Sequence, residues 1–137
     1  MADFGQQIEA LAEKYKKRLR ATAKESVQQT VEIMQKPRDD GGRMRIKFGF
    51  LRASLGANIG SMPSGESVNP GETVTYDGTA VSVALLKWNP EKGEVLYLGH
   101  TANYARYRES RDGFLRGAVE VWDQTVREAA TKVKQQI

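Results

Sequence analysis

Apolar and small residues recur along the first 35 positions in steps of three and four: Ile8, Leu11, Ala12, Tyr15, Leu19, Ala23, Val27, Val31 and Met34. That spacing predicts one face of a long α-helix from Asp3 to about Gln35, with Glu9, Glu13, Lys16, Lys17, Arg20 and Lys24 on the other faces. Pro37, which has no amide hydrogen to donate, stops it. A second row, Phe114, Leu115, Ala118, Trp122, Val126, Ala129 and Val133, predicts another amphipathic helix reaching to about Gln136.

Between the two rows the periodicity changes. Over 38–50, glycines at 41, 42 and 49 and basic groups at 38, 43, 45 and 47 predict a basic loop, flexible over about 38–49. Residues 50–55 are a short semi-apolar piece, a strand or a helical turn. Gly, Ser, Pro and Asn dominate 56–73, which predicts a long exposed loop, flexible over about 56–72. Residues 73–76 form a β-branched run, and Asp77-Gly78 is a two-residue hairpin signal. From 79 to 88, Val81, Val83 and Leu85 alternate with Ala80, Ser82, Ala84 and Leu86, as in a half-buried strand. A turn at 89–93 and a third strand at 94–98 follow. Beyond Gly99, Tyr104 and Tyr107 share one side of a short helix or helical turn that Asp112-Gly113 ends. The expectation is an α+β fold: an antiparallel β-meander packed by a long N-terminal helix and a C-terminal helix, with residues 1–137 as a single domain.

Composition narrows the chemistry. A chain of 137 residues is long enough for one core. It has no cysteine, so disulfides, thiolate metal sites and thiol nucleophiles are excluded, and a reducing compartment is expected. The start carries an acid and lacks the apolar run of a signal peptide, and no stretch reaches the length of a membrane span, so a protein with no membrane partner, made and kept in the cytoplasm, is expected. Residues 36–52 carry six basic and two acidic groups, an excess equal to the whole chain's +4. Attraction to nucleic acid or to an acidic partner is therefore centred there.

Candidate chemistry is sparse. His100 is the single histidine, which excludes a multi-histidine metal site, and no surrounding motif supports it as a general base. Asp39 and Asp40 lack the ligand spacing of a calcium loop and read as turn residues. The serines at 54, 61, 64 and 67 lack a nucleophile-elbow pattern, and the glycines at 56, 60 and 65 are not a phosphate-binding fingerprint. Trp88, Trp122, Tyr97, Tyr104 and Tyr107 have the makings of a base-stacking platform, although aromatics at these periods more often fill cores and interfaces. No enzyme activity, cofactor or metal is expected. Two readings stand: a protein that works by assembling with other proteins, and a small basic nucleic-acid-binding protein using the 36–52 loop.

Two patches add a resemblance. Gly49-Phe50-Leu51-Arg52-Ala53-Ser54-Leu55 resembles the Thr-Gly-x-Leu-Arg-x-Ser stretch after the first helix of the tail-completion and head–tail joining (neck) proteins of long-tailed bacteriophages and prophages. Tyr104-Ala105-Arg106-Tyr107-Arg108-Glu109, followed by Gly113-Phe114-Leu115-Arg116 and Ala118, is similar to that family's Tyr-Ala-x-Tyr-x-Glu and Phe-x-x-x-Ala ending. Phe48 stands where the family usually has Thr, and Ser110-Arg111 interrupts the glycine that commonly follows the Glu. The resemblance implies a virion structural protein, assembled in a bacterial host's cytoplasm, that forms a ring, as a hexamer, where tail meets DNA-filled head. Its implied partners are copies of itself, neighbouring neck or connector proteins, the tail tube protein and DNA passing through the channel. On that reading Arg43, Arg45, Lys47, Arg52, Tyr104 and Tyr107 are candidate oligomer or partner contacts, and Arg38, Arg43, Arg45 and Lys47 face either channel DNA or an acidic neighbour.

Overall fold

The structure, a computed structural model, describes residues 3–47, 49–65, 67, 68 and 70–137. The first helix, α1 (Phe4–Gln35), begins at Asp3, whose carboxylate accepts the Gln6 amide at 2.7 Å while the Gln6 side chain accepts the Asp3 amide at 3.1 Å. This reciprocal capping box satisfies two amides that the helix itself leaves unpaired. The expected stop before Pro37 is found, with Lys36 already extended. After a loop come a single helical turn, α2 (Phe50–Ala53), and a strand, β1 (Leu55–Ile59). Then follow α3 (Thr79–Lys87), β2 (Leu96–His100), α4 (Ala105–Asp112), α5 (Phe114–Glu120) and α6 (Trp122–Gln136).

The fold is α+β, and α1 packs along α6. The sheet is an antiparallel pair, with Leu55 opposite His100 and Ile59 opposite Leu96. Gly56 faces Gly99 across it. A Cβ on Gly99 would come within 3.1 Å of the Met62 sulfur, and one on Gly56 within 3.1 Å of Pro63, so the paired glycines let residues 62 and 63 lie flat across the strands.

Two parts of the expected meander are corrected. Residues 79–87 form a helix: the buried positions are Val81, Ala84 and Leu85, a step of three and then one, while Val83 and Leu86 are exposed. The Asp77 carboxylate accepts the Thr79 amide at 2.9 Å and Gly78 takes φ 73°, so the Asp-Gly pair opens a helix and turns no hairpin. The expected strand at 73–76 is likewise absent. The partner of β2 is β1, which occupies the beginning of the stretch read as the 56–73 loop. The expected final helix is two, α5 and α6, separated at Val121 (φ −102°, ψ 16°). The break turns the apolar row, so Ala118, Thr125, Ala129 and Val133 are buried while Leu115 and Trp122 are exposed.

The core gathers Val27, Val31 and Met34 of α1, Met44 of the basic loop, Leu51, Leu55, Val81, Leu85, Ala102, Phe114 and Ala118. Burying one such large aliphatic side chain is worth about 1.5–3 kcal/mol. Met44, wholly enclosed, is therefore the anchor that draws the basic loop onto the body. No helix among the described residues is long and apolar enough to cross a membrane.

Candidate functional site

The basic loop is closed on itself before it presents any charge. Pro37 bridges to Met44, the Arg38 amide donates to the Met44 carbonyl at 2.8 Å, and the Gly42 amide donates to the Pro37 carbonyl at 2.9 Å. With Met44 buried, the basic side chains on either side of it are sent in two directions.

Arg38 and Arg43 turn toward the corner between α4 and α5. Arg38 donates to the Asp112 carboxylate at 3.0 Å, and Asp112 also receives a two-pronged contact from Arg108 at 2.7 and 3.0 Å. Only 2% of the Asp112 side chain is exposed, so two guanidinium groups compensate one buried carboxylate. Arg43 donates to the Gly113 carbonyl at 3.4 Å and lies over Gly117, where an added Cβ would meet its guanidine at 3.0 Å.

Arg45 and Lys47 turn the other way and, with Arg52 and Arg108, line a hollow of about 340 Å³ floored by Gly49, Phe50, Leu51 and Tyr104. Among the described residues no carboxylate lines it. Gly49 has φ 80° and sits so close to the Val74 carbonyl that a Cβ there would collide with it. This turn starts α2 and aims Arg52 inward. Arg52 Nε donates to the Gln35 carbonyl at 2.9 Å, the Gln35 side-chain amide donates back to the Arg52 carbonyl at 2.8 Å, and the guanidinium stands 5.4 Å over the Tyr76 ring. Burial raises the Tyr76 phenol above its ordinary pKa, against the opposing pull of its Gln35 hydrogen bond and of Arg52.

Tyr104 packs on Phe50 with ring centres 6.3 Å apart and lines the hollow beside Leu51. Its phenol too is raised by burial. Tyr107, half exposed, lies outside the hollow with Arg111 and Arg108 at 5.2 and 5.8 Å from its ring. Of the sequence candidates, then, Arg45, Lys47, Arg52 and Tyr104 meet at one hollow, Arg38 and Arg43 lie at the adjoining corner, and Tyr107 stands one helical turn further out.

Residues that the sequence reading passed over complete the frame. Arg108 and Asp112 carry a visible signal, the i,i+4 spacing of opposite charges on one helix. Gln35 carries none: it is 2% exposed, and its side-chain oxygen meets His100 Nε2 at 2.7 Å. Because the Gln35 nitrogen is engaged by Arg52, that oxygen accepts, and His100 donates from Nε2. His100 also stands edge-on to Phe114 at 5.2 Å, and burial pushes its pKa down to about 4. Glu109 has a defined role: its two oxygens accept the Leu115 and Arg116 amides at 2.8 and 3.0 Å and cap α5 across Gly113.

Chemically the hollow offers cationic donors and two aromatic rings, a setting for a phosphate or carboxylate beside a flat group. Among the described residues no three His, Asp or Glu side chains gather as metal ligands do. Compared with known proteins, the chain matches no protein-family model, no curated sequence and no solved structure.

Proposed function

We propose that the protein is a virion structural protein that forms a ring at the head–tail joint of a long-tailed phage or prophage. It acts by assembly with copies of itself and with neighbouring neck, connector and tail tube proteins. One observation carries the reading: the two patches behind the resemblance, about fifty residues apart in sequence, pack on one another. The Tyr104 ring of the second patch packs at a tilt of 42° against Phe50 of the first, with centres 6.3 Å apart, and both border the same hollow as Leu51. Glu109 caps the helix that the Phe114 patch begins, and Gly49 makes the turn the first patch needs. Short motif residues thus have joint structural work, as a family framework requires. Exposed Leu115, Val119, Val121 and Trp122 near the α5–α6 break supply apolar surface for neighbouring subunits.

Mass measurement and electron microscopy of the purified protein are expected to give rings, or a monomer that joins purified tails to heads. Deleting its gene from the phage should leave heads and tails unjoined; infectious, joined particles from the deletion would overturn the reading.

The cation-lined hollow favours a second reading, a small nucleic-acid-binding protein. It predicts sequence-independent DNA binding that weakens steeply with salt and is reduced by Arg45→Ala with Lys47→Ala. Arg43→Ala should matter less, because Arg43 is turned toward Gly113. Undetectable binding at low salt would exclude it.

A further inference from the structure

The apolar row of α1 is covered along only part of its length. Val27, Val31 and Met34 are in the core, and α6 runs beside this half of the helix, with Lys132 on Glu25 at 2.7 Å and the Ile137 carbonyl on Arg18 at 3.2 Å. Residues 4–17 extend past that last contact as an arm of about 21 Å. Every one of these residues is exposed. On the arm four apolar residues, Phe4, Ile8, Leu11 and Tyr15, form a row of their own, exposed by 76, 51, 50 and 53%.

The spacing of this row is informative. Steps of four, three and four place Phe4 and Leu11 at one kind of coiled-coil seam position and Ile8 and Tyr15 at the other. The row reads the same from either end about its midpoint between Glu9 and Ala10. Two copies laid antiparallel therefore bring Phe4 against Tyr15 and Ile8 against Leu11, each position of one kind meeting the other kind, with all four side chains of each arm used.

Charge chooses the same orientation. The outer part of the arm carries only acids, Asp3, Glu9 and Glu13, and its root carries Lys14, Lys16, Lys17, Arg18 and Arg20. Antiparallel pairing sets the acidic tip alongside the partner's basic root, with Asp3 on the flank that carries the partner's Lys14 and Lys17; parallel pairing sets like on like. Gly5 and Ala12, on one flank of the row, keep that flank low enough for close approach. The four residues expose roughly 500 Å² per copy, so a pair buries at most about 1,000 Å², at the small end of interfaces and suited to a reversible contact.

We infer that the Phe4–Ile8–Leu11–Tyr15 row of α1 is a docking surface for the same row of a second copy, paired antiparallel about a two-fold axis. This pairing is isologous and does not rest on the ring reading: in a ring-forming protein it would join two rings, and otherwise it makes a dimer.

The test uses the full chain with Ile8→Glu and Leu11→Glu together. Sedimentation velocity over a concentration series is expected to show the particle mass halved by the double substitution, with circular dichroism and thermal unfolding of the body unchanged because both positions are exposed. An unchanged mass would overturn the proposal. Orientation is read separately by oxidation, made simple by the absence of native cysteine. Ile8→Cys chains mixed with Leu11→Cys chains should cross-link to one another, and Ile8→Cys chains alone should not. Self-cross-linking of Ile8→Cys would refute the antiparallel register.

Discussion

His100 gives the most direct reading at the scale of one residue. Its ring is held by Gln35 and Phe114, and burial lowers its pKa from 6.5 to about 4. The folded state therefore binds this proton less readily than the unfolded chain. No stability is lost above pH 6.5; as pH falls from there to about 4 the unfolded state gains a proton that the folded state refuses, and the loss is complete below about 4. The full shift corresponds to about 3 kcal/mol. Because the chain has one histidine, its imidazole proton resonance is unambiguous, and a titration midpoint near 4 is expected; a midpoint near 6.5 would show that the ring is solvated. Gly49 is a second sensitive residue. Gly49→Ala combines positive φ with collision against the Val74 carbonyl, and a loss of about 3 kcal/mol in urea unfolding is expected.

At the scale of the element, α5 depends on a side chain outside it. Its N-terminus has no cap from Gly113, and the Glu109 carboxylate takes the Leu115 and Arg116 amides instead. Glu109→Ala should cost about 1–2 kcal/mol, and Glu109→Gln less, since an amide oxygen still accepts but brings no charge to the helix dipole. Denaturant midpoints of the two variants check the order. The elements also differ in how readable they are. The row of α1 and its end at Pro37 are plain in the sequence because apolar residues recur every three or four positions over many turns, although burial is confined to the last part of the helix. For 79–87 the β-branched Val81 and Val83 imitate alternation, while the positions that decide, Val81, Ala84 and Leu85, fit a helix equally well. Asp77-Gly78 serves hairpin and helix start alike. Strand β1 was hidden because Leu55–Ile59 has Gly and Asn and is defined by a partner forty residues on. The basic site residues were legible as charges, but their separation to two sides of Met44 depends on that one burial, which no local pattern announces.

At the scale of the whole molecule, the arm and the body are energetically separate. Residues 4–17 are all exposed and none belongs to the core, so removing residues 1–14 should leave the melting temperature of the body within about 3 °C, read by calorimetry at low protein concentration. A larger fall would mean that the arm supports the body. The hollow belongs to the body, and its cations sit beside the compensated Arg108–Asp112–Arg38 cluster. Asp112→Asn should therefore release charge toward the hollow while destabilising the corner by about 3 kcal/mol, because two guanidinium groups lose their shared anion. Urea unfolding measures the second effect.

The packing of α1 on α6 also orders events in time. Val27 and Val31 are made about ninety residues before Phe114 and Ala118 of the same core, and synthesis at about 5–20 residues per second leaves that row uncovered for on the order of 4–18 s. The sheet waits too, since β1 pairs with a strand made roughly forty residues later. Native structure is thus closed by the late-made helix, and during each round of translation the nascent chain displays a long apolar helix to whatever chaperone or sister chain lies nearest the ribosome.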